Sequence, residues 1–114
     1  MKIIDKKITI TELTEMTKKM FGNLVKAVVD VEQEIMAVDG ELHADEEAVL
    51  IQNGSKQQNL WGINLYPELK NSADFIEFDS MINLRPSQGN KIRGVEDVGL
   101  QKKIISIVNK LVTE

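Results

Sequence analysis

Strict alternation in two late segments constrains the fold of this chain more than any other property. In residues 60–66, Trp61, Ile63 and Leu65 make an apolar face, opposite Leu60, Gly62, Asn64 and Tyr66. In residues 75–85, Ile76, Phe78, Ser80, Ile82 and Leu84 share one face, and Phe75, Glu77, Asp79, Met81, Asn83 and Arg85 share the other. Successive side chains of a strand point to opposite faces, so a period of two marks a half-buried strand. Setting Tyr66 opposite Phe75 places Ile63 across from Phe78 and Asn64 across from Glu77, so apolar meets apolar and polar meets polar. The two segments read as an antiparallel hairpin with Ile82 and Leu84 in the core and Asn83 and Arg85 facing outward.

Other elements follow from capping and periodicity. Thr9-Ile10-Thr11-Glu12 has capping-box spacing, with Ile8 and Leu13 as the hydrophobic staple. It opens a helix over residues 10–20 that Gly22 stops. Val25, Ala27, Val29 and Val31 line one face of a strand over residues 24–32, and residues 34–38 resume the pattern after a polar turn. Residues 44–52 form a second helix with Asp45, Glu46 and Glu47 in its first turn, where the helix dipole favours acids. Its core face would be Ala44, Ala48 and Ile51. Leu100, Ile104, Val108, Leu111 and Val112 recur at helical spacing over residues 98–112, with Asp97 as N-cap. The order α-β-β-α-β-β-α describes an α+β fold: a four-stranded, mainly antiparallel sheet from two hairpins, with three helices packed on one face. At 114 residues the chain is read as a single domain, 1–114.

Composition narrows the function classes. A net charge of −4 argues against general nucleic-acid binding, which favours a basic balance. No apolar run approaches the roughly 20 residues that span a bilayer, and the N-terminus lacks a signal-peptide pattern. No cysteine is present, so there is neither a disulfide framework nor a thiolate metal site, and the expected location is the cytoplasm. Charge is unevenly distributed. Residues 27–55 hold eight acids and no Lys or Arg, whereas residues 80–95 hold Arg85, Lys91 and Arg93 and no acid.

The acid-free stretch supplies the main candidate site. A basic loop with glycines, rich in amide donors and leading into a helix start, suits a phosphate or carboxylate. The candidate ligand-binding residues are Asp79, Asn83, Arg85, Gln88, Asn90, Lys91 and Arg93. Asn64 and Tyr66 stand beside Asp79, Asn83 and Arg85 on the open face of the hairpin. The loop lacks P-loop spacing, and Ser55, Ser80 and Ser87 lack a Gly-x-Ser-x-Gly context. His43, the sole histidine, forms with Asp45 half of a metal site, without a recognised ligand spacing. No catalytic residue, metal or cofactor is assigned.

Four phrases resemble a known family: Gly40-Glu-Leu-His-Ala-Asp-Glu-Glu, Gly54-Ser-Lys-Gln, Leu60-Trp-Gly-Ile-Asn-Leu-Tyr-Pro and Phe78-Asp-Ser-Met-Ile-Asn-Leu-Arg-Pro-Ser-Gln-Gly-Asn. The chain is similar along nearly its whole length to short bacterial and archaeal proteins grouped as a domain of unknown function. The resemblance implies a free-standing small cytoplasmic protein and carries no activity, substrate or site residue.

The leading expectation is a binding module, not an enzyme, whose loop from Asn83 to Arg93 takes an anionic small molecule or an acidic protein segment. One alternative is metal-assisted hydrolysis by Asp79 and His43. Another is a structural homodimer without a ligand, joined by sheet edges or by docking the acidic segment onto the basic loop.

Overall fold

The structure is a computed structural model that describes all residues from Met1 to Glu114. The chain runs β1 (Lys2–Ile4), β2 (Ile8–Thr9), α1 (Ile10–Lys19), β3 (Val25–Asp30), β4 (Ile35–Val38), α2 (His43–Gln52), β5 (Leu60–Leu65), β6 (Ile76–Glu77), α3 (Val98–Leu111) and β7 (Val112–Thr113). Single 3₁₀ turns occur at Gln57–Asn59, Pro67–Leu69, Met81–Asn83 and Pro86–Gln88. No helix is long and apolar enough to cross a membrane.

The main sheet is antiparallel with the order β1-β4-β3-β5-β6. β3 is the central strand, and its six residues are buried or half-buried. Val25, Ala27 and Val29 face one side and Val28 the other, so its β-branched residues are packed from both directions. The turn into β4 is held by Asp30, whose Oδ1 accepts the N–H groups of Glu32 at 2.9 Å and Gln33 at 3.0 Å. Its Oδ2 accepts the Ser55 hydroxyl at 2.6 Å, which ties the hairpin to the segment after α2.

The sheet has five strands rather than the expected four, because Lys2–Ile4 adds an edge strand along β4. A separate parallel pair, β2 with β7, joins the two ends of the chain. The helices cover both faces. α1 and α3 contribute Leu13, Ile104, Ile107, Val108 and Leu111 to the larger core with Val25, Ala27, Val29, Met36, Trp61, Ile63 and Leu65. α2 covers the opposite face, where Leu50 packs with Val28, Ala37 and Leu60. The expectation that all three helices share one face therefore holds only for α1 and α3.

α2 is also rotated from its expected orientation. His43, Glu46 and Leu50 are its buried stripe, while Ala44 and Ala48 are exposed and Ile51 is 43 % exposed. Two polar side chains occupy positions that an apolar count assigns to the surface. Glu46 is fully buried, with Oε2 accepting the N–H of Gly40 at 2.9 Å and Oε1 without a partner. Gly40 makes room for it: a Cβ there would stand 2.6 Å from Glu46 Cγ. Burial pushes the Glu46 carboxyl up to about 9, against the opposing Gly40 hydrogen bond, so it is protonated at neutral pH.

The 60–66/75–85 hairpin keeps its expected register, with Asn64 opposite Glu77 and Leu65 opposite Ile76. It ends much sooner than alternation implies, since β6 is only Ile76–Glu77. Phe78 still packs on the α1/α3 core, whereas Ile82 packs on the α2 side, so the chain crosses the sheet between them. Gly62 gives the crossing its space, because a Cβ there would lie 2.5 Å from Ser80 Cβ. Leu84, expected in the core, is 37 % exposed. The caps are as expected: Thr9 and Glu12 form a reciprocal capping box, and Asp97 Oδ1 accepts the Gly99 N–H at 2.8 Å.

Two outcomes test this packing. Gly62→Ala should lower stability by about 1–3 kcal/mol in urea denaturation, because the crossing strand cannot retreat from the added methyl group. Glu46 carries a folded-state pKa of about 9 against an ordinary value of 4.5, so the folded chain retains a proton that the unfolded chain releases. Its contribution is complete below the unfolded value and is lost as pH rises from there to the folded value, at about 1.4 kcal/mol per pH unit. Glu46→Gln should flatten that decline, so that stability measured by urea denaturation varies far less between about pH 5 and pH 8 than in the parent chain.

Candidate functional site

The cation-rich loop after β6 is built from side chains that bond to its own backbone. Asn83 is fully buried rather than outward. Its Oδ1 accepts the Gly62 N–H at 2.8 Å, and its Nδ2 donates to the Gly62 carbonyl at 3.0 Å and the Arg93 carbonyl at 2.9 Å. Extending the β5–β6 register would place Asp79 opposite Gly62. The Asn83 carboxamide takes that place and pairs with Gly62 as a strand residue's peptide group would. Asn90 repeats the device one turn later. Its Nδ2 donates to the carbonyls of Asn83 (2.7 Å), Ile92 (3.0 Å) and Gly94 (2.9 Å), and its Oδ1 accepts the Glu96 N–H at 2.9 Å.

Arg85 is half-buried and serves the same purpose. Nε donates to Ile82 O at 2.9 Å, NH1 to Gln57 O at 2.9 Å and to Gln88 Oε1 at 3.1 Å, and NH2 to Leu60 O. Its guanidinium lies 4.3 Å from the centroid of the Trp61 ring, where the aromatic face favours a cation. Burial lowers its pKa from the ordinary guanidinium value, with Glu47 opposing, though a guanidinium remains charged. Gln88 completes the brace, its Nε2 donating to Gln58 O at 3.1 Å. Arg85 and Gln88 thus hold the loop against residues 57–60, Asn83 ties it to β5, and Asn90 binds the loop to itself.

The other named residues separate from this group. Arg93 Nε pairs with Asp79 Oδ1 at 2.7 Å, and both side chains are well exposed. Lys91 is exposed, and its backbone N–H donates to Glu96 Oε2 at 2.6 Å. Asn64 donates to Glu77 Oε1 at 2.9 Å, which also accepts the Tyr66 hydroxyl at 2.8 Å. His43 is buried, and its Nε2 donates to Ile63 O at 2.8 Å. Burial lowers the imidazole pKa against that hydrogen bond; Lys26 and Arg93 act in the same direction and Asp79 opposes them. Asp45, two positions along α2, is exposed. No group of three or more His, Asp or Glu is arranged to hold a metal ion.

One side of the braced loop borders a cleft of about 510 Å³. Val31, Trp61 and Leu100 supply its apolar lining, Gln58, Gln88 and Asn90 its amides, and Glu96 and Asp97 its charges. Both residues are exposed, and within the protein only one oxygen of each carboxylate is bonded: Glu96 Oε2 accepts the Lys91 N–H, and Asp97 Oδ1 accepts those of Gly99 and Leu100. Arg85, Lys91 and Arg93 do not line the cleft. Gln88 and Asn90 are the sequence-derived candidates that reach it. Asp97 was legible as a helix cap, whereas no local pattern marked Val31, Gln58 or Glu96 as parts of one wall.

The clamp is open to a direct test. Asn83→Asp keeps the side-chain shape but removes the donor to the Gly62 and Arg93 carbonyls. Stability should fall by about 3 kcal/mol in urea denaturation, the cost of leaving buried carbonyls unpaired. Amide exchange across residues 90–94 should accelerate more than across α1.

No curated protein and no solved structure matches this chain. A match to the family described as "Protein of unknown function (DUF5674)" extends over residues 2–111, and the chain belongs to that family.

Proposed function

We propose that this protein is a non-enzymatic binding module whose ligand occupies the cleft between the 84–97 loop and Trp61. The ligand carries a positively charged nitrogen on a partly apolar body. The carrying observation is that two carboxylates, Glu96 and Asp97, each with one oxygen free of protein partners, line a cleft that has no lysine or arginine among its lining residues. An ammonium or guanidinium group would pair with both carboxylates, while Val31, Trp61 and Leu100 would take up the attached carbons. The volume lies within the range of small-molecule sites. The loop is already braced, so little conformational entropy would be lost on binding.

A second reading keeps the anion that a basic loop suggests. It draws support from Lys91, whose ammonium has no ion-pair partner, and from Arg93, whose terminal nitrogens are unbonded beside the Asp79 pair. Both lie outside the cleft lining, so the two readings separate by location.

Titration of ¹⁵N-labelled protein with agmatine and with inorganic phosphate distinguishes them. Agmatine should produce saturable shifts at the Trp61 indole, Gly89 and Leu100. The pair Glu96→Gln with Asp97→Asn, which keeps an amide oxygen for each backbone contact, should abolish them. Absence of saturable agmatine shifts at millimolar concentration would overturn the cleft reading. Saturable phosphate shifts confined to Lys91 and Arg93 would support the second.

A further inference from the structure

We infer that a second site, separate from the cleft, binds a small carboxylate with an apolar tail between the 70–78 segment and α3. A cavity of about 430 Å³ lies there, with Phe75, Ile76, Phe78 and Ile105 as its apolar lining and Lys70 and Asn109 among its polar residues. Ile105 is 37 % exposed, although it sits on a helix whose other large apolar residues are mostly packed into the core. Ile105, with the half-buried Ile76 and Phe78 beside it, provides an accessible apolar wall, backed by the buried Phe75.

The polar groups of this cavity are complementary to an anion. Lys70 is its only charged residue, no carboxylate lines it, and the ammonium takes part in no ion pair. Lys70 Nζ is held 5.4 Å from the centroid of the Phe75 ring, at the junction of the polar and apolar lining. The backbone N–H groups of Asn71 and Ala73, in the bordering loop, make no backbone hydrogen bond, whereas those of Ser72 and Phe75 are bonded within the loop. The side-chain amides of Asn71 and Asn109 are likewise without protein partners, and both residues line the cavity. A carboxylate would meet a cation and several donors without protein partners, and its alkyl or aryl body would cover Ile76, Phe78 and Ile105.

The loop is already shaped for this. Pro67–Leu69 forms a 3₁₀ turn, Ser72 donates to Leu69 O at 3.1 Å, and its hydroxyl oxygen accepts the Asp74 N–H at 3.1 Å. These short-range bonds hold Lys70 and Asn71 beside the aromatic wall without any ligand. The site shares no lining residue with the cleft over Trp61, so it neither requires nor excludes the cationic ligand proposed there.

Octanoate and 1-octanol, which share a chain length and differ in charge, test the inference by NMR titration of the full chain. Octanoate should give saturable shifts at Phe75, Phe78, Ile105 and Asn109 and bind roughly tenfold more tightly than 1-octanol, the ratio that about 1.4 kcal/mol of head-group recognition produces. Lys70→Ala, a change in a surface loop, should erase that preference while leaving octanol binding intact. The Glu96→Gln, Asp97→Asn pair should leave octanoate binding unchanged, which separates this site from the cleft. Three results would each overturn the inference: no saturable octanoate shifts, equal affinity for the two probes, or an unaltered preference in Lys70→Ala.

Discussion

The pairing of the Asn83 carboxamide with the peptide group of Gly62 is the contact on which the second half of the molecule depends. A strand edge presents N–H and C=O groups that need partners when buried. β6 covers that edge only at Ile76–Glu77. Beyond it the chain crosses the sheet, and without a substitute the Gly62 peptide would be orphaned. Asn83 provides both a donor and an acceptor in peptide-like geometry, and it also reaches the Arg93 carbonyl. One side chain therefore ends the sheet, anchors the crossing and fixes the return of the loop. The absence of a Cβ at residue 62 is a matching requirement, because it lets Ser80 of the crossing segment pass against β5.

This arrangement accounts for a stretch that is basic and free of acids inside an acidic protein. Its donors are directed at carbonyl oxygens. Arg85 serves the carbonyls of Gln57, Leu60 and Ile82, and Asn90 serves those of Asn83, Ile92 and Gly94. Charge-assisted bonds from a half-buried guanidinium to carbonyls are stronger than neutral ones, and the Trp61 face adds to them. A carboxylate within the stretch would compete for these donors. The electrostatic outcome differs from what composition suggests: Arg85 is taken up in structural bonds, Lys91 and Arg93 lie exposed outside the cleft, and the charges that line the cleft are the carboxylates of Glu96 and Asp97.

Much of the fold was legible because its signals are local. The Thr9/Glu12 capping box, the Asp97 cap and the Asn64–Glu77 register all follow from residues close together or from strict alternation. The errors arose where tertiary context overrode such signals. β1 is three residues long and shows no alternation that distinguishes it from a tail. α2 turned because burial of Glu46 and His43, each hydrogen-bonded to backbone, displaced the small residues Ala44 and Ala48 from the core face. Residues 78–85 retain a period of two although they fold through a 3₁₀ turn, so alternation overstated the strand and assigned Asn83 to the wrong environment. Of the candidate site, Gln88 and Asn90 could be named in advance. The cleft wall draws on residues from 31 to 100, and long-range bonds such as Val31 N–H to Asn59 O and Gln88 to Gln58 O bring them together.

Hydrogen exchange of the Asn83 and Asn90 side-chain amides, followed beside the Gly62 N–H, tests the central claim most directly. If these carboxamides replace strand pairing, their protons should exchange slowly, with opening free energies matching those of the β5 backbone. Exchange of both side-chain amides at the rate of solvent-exposed carboxamides, with β5 still protected, would contradict the account, because the loop would then stand without the clamp.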